Sequence, residues 1–275
     1  MKQNRLIAAL VLSLLGYVAT AQDSSQKKPV FSATVAYQSY VHFLGRSDSV
    51  STAAALPIVS YQLKNGLYAQ TAAILIHNAV LPFQLAGGSI ETGYHFPETD
   101  HFSGNIFASK FLYKDQSMLP QSVLQYQTGI NTTIKTKPVN ISLAGDLKFS
   151  NQTDIGLTGG LDHLFIVPLK KGEAKAVALN PTYTAYGGTQ RFIKQYEEKQ
   201  QNIVGIPVGN PQVREEQVNR ISLLAHEFTM PVVLVINKFN AFISPSYVVP
   251  VNLINSNGEY GRNTFYVTAG IGIRL

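Results

Sequence analysis

Long segments in which apolar and polar residues alternate run through this chain from residue 30 to its last residue. Between residues 138 and 149 the two sets are Val139, Ile141, Leu143, Gly145, Leu147 and Phe149, against Asn140, Ser142, Ala144, Asp146 and Lys148. Because successive side chains of a strand point to opposite faces, this pattern predicts strands that separate an apolar medium from a polar one.

Twelve such segments are predicted. They are residues 30–43, 53–63, 67–77, 86–96, 101–113, 121–135, 138–149, 153–166, 175–189, 217–234, 240–252 and 264–275. Most exceed the about 5–6 residues of a soluble strand and reach the about 9–11 residues that a tilted strand needs to cross a bilayer. We therefore expect an all-β fold, a closed antiparallel up-and-down transmembrane β-barrel of about 12 strands. Ten or fourteen strands stay open, since residues 217–252 switch faces and indicate a bulge near His226-Glu227.

Composition restricts the other classes. Charged residues make up 14% of the chain, against about 25% in ordinary soluble domains, yet the mean hydropathy is only +0.04. No segment after the N-terminus approaches 18 uninterrupted apolar residues, so no transmembrane helix is expected. The absence of cysteine excludes disulfides and thiolate metal sites. No basic block predicts nucleic-acid binding, and we expect neither a metal nor a cofactor.

The N-terminus has the three parts of a secretory signal peptide. Lys2 and Arg5 precede an apolar run over residues 6–18, and Ala19-Thr20-Ala21 supplies small residues for cleavage. We expect residues 1–21 to be removed, leaving a barrel domain of residues 22–275. A membrane anchor is the alternative, but the run is short for about 30 Å of hydrocarbon.

The last segment, residues 264–275, contains a spaced motif. The motif begins with a polar residue, Thr268, and a glycine two positions later, Gly270. Hydrophobic residues follow three and five positions after the glycine, at Ile273 and Leu275. In this motif the chain resembles bacterial outer-membrane β-barrel (porin-like) proteins, whose last strand is read by the barrel-assembly machinery. The family usually ends in an aromatic residue, whereas this chain ends in leucine. The resemblance implies the cell outer membrane as location, with its lipid and the assembly machinery as partners, but no subfamily.

Connection lengths predict the topology. Short connections alternate with longer ones along the chain. The short ones are residues 64–66, 97–100, 136–137, a turn around 237–238 and the slightly longer 167–174, and the longest of the others is 191–216. Barrels of this kind have short periplasmic turns and longer outer loops. Both termini are therefore expected in the periplasm. The 191–216 loop is open between a surface loop, a pore constriction and a ligand site.

The polar faces supply the candidate site residues. Predicted lumen-lining residues are Glu91, Gln125, Gln127, Lys135, Asp146, Lys148, Asp162 and Arg274, together with His95 and Asp154. They favour a porin-like channel for small polar solutes, with a filled barrel that serves as a scaffold as the alternative. Eight strands give a filled interior and sixteen a channel, so twelve leaves both open.

Two functions from other classes stay as rivals. The first is an outer-membrane lipid-modifying enzyme, because His101 and Ser103 stand two apart, as in some membrane lipid hydrolases. Those enzymes have asparagine directly after the serine, whereas Gly104 stands here. The second is a secreted β-sandwich adhesin, since soluble sandwiches alternate too. We expect no catalytic residues.

Overall fold

A computed structural model describes residues 28–47, 51–79, 82–114, 119–169, 175–192, 195, 218–253 and 260–275. The predicted signal peptide, residues 1–21, and most of the 191–216 loop lie outside the described residues. Within the described part, no helix is long and apolar enough to cross a membrane.

The elements whose bounds the described residues define are seventeen strands and one short 3-10 helix. They are β1 (Val30–Gln38), β2 (Arg46–Ser47), β3 (Ala53–Gln62), β4 (Leu67–His77), β5 (Gln84–His95), β6 (Phe102–Tyr113), the 3-10 helix (Pro120–Val123), β7 (Tyr126–Ile134), β8 (Asn140–Phe149), β9 (Thr153–Asp162), β10 (Phe165–Pro168), β11 (Lys175–Leu179), β12 (Thr182–Gly188), β13 (Ser222–Thr229), β14 (Val232–Ile236), β15 (Phe239–Pro250), β16 (Tyr260–Gly261) and β17 (Thr264–Arg274).

These strands close into an antiparallel barrel of twelve. β1 pairs with both β3 and β17, which joins the first barrel strand to the last and leaves no open seam there. Three barrel strands are each interrupted once and consist of β9 with β10, β11 with β12, and β13 with β14. β2 and β16 form a separate two-stranded ribbon. The predicted fold class is confirmed.

The register fixes the tilt of the strands. Partners of Phe239, followed through β17, β1 and β3 to β8, lead to Thr153 of β9. Asp162 lies nine residues after Thr153 on β9. Its partners lead the other way around the barrel, through β12 and β13, to Ser246 of β15, which lies seven residues after Phe239. One circuit therefore shifts the register by about 16 residues, which corresponds to strands tilted by about 45°.

Prolines cause the interruptions. The carbonyl groups of Pro181, Pro231 and Pro245 accept hydrogen bonds from the backbone of the neighbouring strand at 3.3, 3.1 and 3.0 Å. Proline cannot donate in return, so the ladder breaks at one level across adjacent strands. The predicted segment 217–234 is therefore two strands, and its bulge lies between Leu223 and Ala225 rather than at His226-Glu227.

The outer wall is an apolar belt. Exposed large side chains point outward from strands all around the barrel and include Val35, Val59, Ile90, Ile106, Ile130, Leu143, Leu157, Leu161, Ile243 and Ile271. The residues between them point inward. A continuous exposed surface of this kind is stable against lipid, and a closed barrel satisfies the backbone groups that lipid cannot.

The two ends of the barrel carry different kinds of connection. The terminal end carries the start of β1, the last residue of the chain and short turns, such as residues 63–66 and 237–238. The loop end carries the connections that follow β1, β4, β6, β8, β12 and β15.

Candidate functional site: the barrel lumen

One side of the lumen is apolar. Inward side chains that are each at most 6% exposed include Ala36, Ala54, Leu56, Ile58, Ile74, Ile76, Val233 and Phe242. Neighbouring strands bring them side by side, since Ala36 lies opposite Leu56 and Val233 opposite Phe242. Val41 and Leu119 join this cluster from connections at the loop end. Side chains this well covered show that this side of the lumen is filled.

The other side is polar and less covered. Lys148 Nζ and Asp146 Oδ2 form an ion pair at 2.9 Å on β8, and their side chains stay 15% and 14% exposed. A Cβ at Gly156 of the adjacent strand would lie 2.0 Å from Lys148 Nζ and 2.4 Å from Asp146 Oδ1. The glycine therefore provides the space in which this charged pair lies.

A second inward group surrounds Glu91. Tyr68 donates to Glu91 Oε1 at 3.0 Å, and Ser109 donates to Oε2 at 2.6 Å. Asn105 Nδ2 donates to the Tyr68 hydroxyl at 3.1 Å, and Asn131 Nδ2 donates to Asn105 Oδ1 at 3.2 Å. This ladder crosses four strands, β4 to β7, and fixes a buried carboxylate on the lumen wall.

The remaining predicted carboxylates lie at the two ends. Asp154, fully buried at the loop end, accepts from the Thr189 hydroxyl at 2.6 Å and from the Arg191 backbone at 2.8 Å. Asp162, 2% exposed near the terminal end, accepts from Asn140 Nδ2 at 2.9 Å. Each carboxylate stabilises a local connection by hydrogen bonds.

The loop end is crossed by a short hairpin that the sequence did not reveal. The predicted strand 30–43 stops at Gln38, because Ser39 Oγ accepts from the Val267 backbone and Gln38 Nε2 donates to Tyr40 O. The chain then turns inward, and residues 41–47 are all buried. Residues 42–47 are called the inward hairpin below.

A buried carboxyl group lies beneath the inward hairpin. Tyr266 of β17 donates to Glu227 Oε1 at 2.7 Å, and the His42 ring lies 4.4 Å from the Tyr266 ring. Nδ1 of His42 accepts from the Gly45 backbone at 3.2 Å. Burial lowers the pKa of His42 to about 3, so its ring is neutral.

The closed twelve-strand wall, its lipid-facing belt and a lumen that contains charged residues decide the class of protein. The fold is that of an outer-membrane β-barrel.

Solved structures of outer-membrane barrels are similar to this chain. A KdgM porin has 11% sequence identity and a TM-score of 0.46, with 87% of this chain and 98% of that chain covered. A NanC porin has 11% sequence identity and a TM-score of 0.46, with 89% of this chain and 100% of that chain covered. LpxR from Salmonella typhimurium has 9% sequence identity and a TM-score of 0.49, with 88% of this chain and 99% of that chain covered. No protein family and no curated protein matches the sequence. At these identities the likeness concerns the fold.

Most predicted lumen residues point into this outer-membrane barrel, but Gln125 does not. It precedes β7, where the 3-10 helix has just ended and strict alternation has not begun, and its side chain is exposed. Leu124, which strict alternation with Gln125 would place on the outer wall, is instead fully buried and clusters with Phe111. Gln127, two residues further on, is inward and 4% exposed.

Three other predicted residues lie toward the terminal end. Lys135 pairs with Glu98 and also donates to the carbonyl of Thr99 at 3.4 Å. His95 stacks on Tyr68 with ring centroids 4.5 Å apart. Arg274 is partly buried on the last strand. They surround the terminal mouth rather than the centre of the lumen.

The terminal motif lies on β17 as its alternation predicts. Thr268 is inward and fully buried, next to Gln38 and Ser244 on the flanking strands. Leu275 is outward and 54% exposed, and its backbone exchanges two hydrogen bonds with Phe31. An outward terminal side chain on a paired strand is available to lipid or to another protein.

Sequence reasoning missed Glu227 as a lumen residue in its own right. The sequence predicts only a bulge at His226-Glu227, whereas the two side chains lie on opposite faces of β13. His226 is on the outer wall, where its Nδ1 lies 2.7 Å from the Tyr183 hydroxyl. The displaced bulge at Leu223–Ala225 changes the alternation before these residues, which a local pattern could not locate.

Proposed function

We propose that this protein is a porin-like channel for small polar solutes, with the passage along the polar side of the lumen. The ion pair of Lys148 and Asp146 carries the proposal, because it is partly accessible inside a wall whose opposite side is buried and apolar. Charges of both signs in a narrow lumen select solutes by size and hydration more than by net charge.

Planar-bilayer recording of the purified barrel tests this function. We expect discrete conductance steps, and an altered anion-to-cation ratio in Lys148→Gln. Leu147→Ala is the matched control, because Leu147 is the outward neighbour of Lys148 on the same strand. The absence of conductance steps under any tested voltage would contradict the channel.

A scaffold barrel is the second candidate. It is favoured by the buried residues that cross the loop end, where Phe43, Leu44, Phe192 and Val218 pack against inward side chains of β13, β15 and β17. A scaffold predicts no conductance from the native protein or from any variant with a loosened loop end.

We further propose that the protein is not an enzyme. His101 lies in a turn before β6 begins and is exposed, and its carbonyl accepts from the Lys135 backbone. Ser103 is followed by Gly104 rather than by asparagine, and His101 lies at the terminal end, away from the loop end. Unchanged lipid composition in cells that express Ser103→Ala and wild type supports this proposal, and a difference would contradict it.

We propose that both termini lie in the periplasm and that the last strand is recognised by the assembly machinery. Because the chain has no cysteine, single substitutions report sidedness cleanly. In whole cells an impermeant maleimide is expected to label Asn151→Cys at the loop end, and Lys64→Cys at the terminal end only after lysis. The reverse pattern would place the termini outside. Gly270→Leu is expected to lower the yield of assembled barrel relative to Ile271→Leu.

A further inference from the structure

We propose that the inward hairpin, residues 42–47, is the gate of the channel: it closes the loop end in the described state and opens it by leaving the lumen as a unit. This inference rests on the proposed channel function and names the part of the chain that regulates it.

The inward hairpin is a self-contained structural unit. Phe43 and Arg46 exchange two backbone hydrogen bonds, at 2.5 and 2.8 Å. Leu44 and Gly45 between them have φ of 52° and 77°, the left-handed pair that a two-residue type I′ turn requires. Below it, Val41 N donates to Thr52 O at 2.6 Å and closes the base of the connection. A preformed turn on a closed base can move without unfolding.

Its contacts with the barrel wall are mainly apolar and close. The His42 ring packs on Tyr266, and a Cβ at Gly45 would lie 2.7 Å from Pro250 Cδ. Phe43 and Leu44 belong to the cluster that includes inward residues of β13, β15 and β17. No strand of the described barrel pairs with the hairpin, so leaving the lumen breaks no barrel ladder.

Other contacts connect the inward hairpin to neighbouring loops. Arg46 Nη2 donates to Gln190 Oε1 at 2.5 Å, and Phe43 meets Phe192 edge to face at 4.7 Å. β2 within the hairpin pairs with β16, which places Ser47 opposite Tyr260. Segments from two other connections, β12–β13 and β15–β17, therefore meet at the hairpin and would separate from it together.

The chemistry of the buried side favours a gate over a permanent plug. Arg46 is 1% exposed, and its guanidinium is removed from water inside the loop end. The desolvation of a buried charge offsets much of the gain from its hydrogen bonds, whereas apolar residues of similar size give the more stable filling. A closure that contains Arg46 is therefore held less firmly than an apolar plug of similar size.

A disulfide staple tests the gate. The double variant Ser47→Cys with Tyr260→Cys joins register partners of β2 and β16 and holds the hairpin inside when oxidised. Tyr61→Cys with Ala69→Cys is the matched control, a staple across the β3–β4 hairpin at the terminal end. We expect oxidation to abolish most bilayer conductance of the first variant, reduction to restore it, and the control to respond to neither.

A loosening variant gives the opposite readout. Phe43→Ala removes the contact with Phe192 and is expected to raise the open fraction about tenfold, the factor given by 1.4 kcal/mol. Phe265→Ala, on the lipid-facing wall, is its control. Conductance that is equal in native, stapled and loosened proteins would overturn the gate and leave the channel standing. No conductance from any of them would overturn the channel itself.

Discussion

Nη2 of Arg46 donates to Oε1 of Gln190 at 2.5 Å, across 144 residues of sequence. The two side chains are almost completely buried where the loop end closes. Arg46→Ala leaves a buried amide oxygen without this donor, so we expect the free energy of unfolding to fall by about 1.5–3 kcal/mol. Urea titration followed by the gel shift between folded and unfolded barrel measures it.

Arg262 offers a matched control for Arg46. It lies in a neighbouring connection of the loop end, is exposed, and contacts the Tyr40 ring at 5.7 Å. An exposed contact of this kind contributes less than about 1 kcal/mol. Equal losses of stability in Arg46→Ala and Arg262→Ala would show that burial of Arg46 has no energetic role.

Two glycines of β9 allow a prediction about the polar side of the lumen. A Cβ at Gly156 meets the charged ends of Lys148 and Asp146, whereas a Cβ at Gly159 meets nothing within 4 Å. Gly156→Ala should displace the ion pair, change ion selectivity and lower stability by about 1 kcal/mol. Gly159→Ala should leave selectivity unchanged and keep or slightly raise stability, since alanine restricts the unfolded chain.

Bilayer recordings and unfolding midpoints of the two variants check this pair of outcomes. The comparison is sharp because both changes add one methyl group to the same strand on opposite faces. A selectivity change in Gly159→Ala, or none in Gly156→Ala, would show that the Lys148–Asp146 pair does not line the passage.

The sequence predicts the wall well because the alternation is local. Segments 67–77 and 138–149 coincide with β4 and β8 to within two residues, since each side chain need only distinguish lipid from lumen. Local alternation could not predict the inward hairpin. Phe43 and Arg46 face neither medium, and their partners come from distant loops. The prediction that Gln125 lines the lumen was wrong for a related reason, because the preceding 3-10 helix changes which face the next residues occupy.

Closure of the barrel gives a test of the fold itself. Val35 of β1 lies opposite Ile271 of β17, and both side chains are outward and exposed. The pair Val35→Cys with Ile271→Cys should form a disulfide on oxidation, because partners across antiparallel strands lie within bonding range. The covalent loop should be visible as faster migration of the denatured chain.

Val35→Cys with Leu157→Cys is the control for closure. Leu157 is equally outward but belongs to β9, well separated from β1 around the wall. A secreted β-sandwich has no reason to bring the first and last strands together in this register. Failure of the first pair to form an intramolecular disulfide would therefore contradict the closed barrel.

His42 predicts how the stability of the barrel depends on pH. Its pKa is lowered by burial from 6.5 to about 3. Above pH 6.5 the ring is neutral in both folded and unfolded states, so its contribution to stability is complete. As the pH falls from 6.5 toward 3, the unfolded chain binds a proton that the folded protein excludes. Stability is then lost at up to about 1.4 kcal/mol per pH unit.

His42→Asn isolates this contribution. The asparagine Oδ1 can replace Nδ1 as the acceptor for the Gly45 backbone, but it does not titrate. Tyr266, which packs on the ring, and its partner Glu227 are present in both proteins, so their own contribution is common to both. Urea midpoints of the two proteins should differ by a constant amount above about pH 7 and diverge in favour of the variant at lower pH. A difference that is the same at every pH would show that His42 is accessible to protons in the folded barrel.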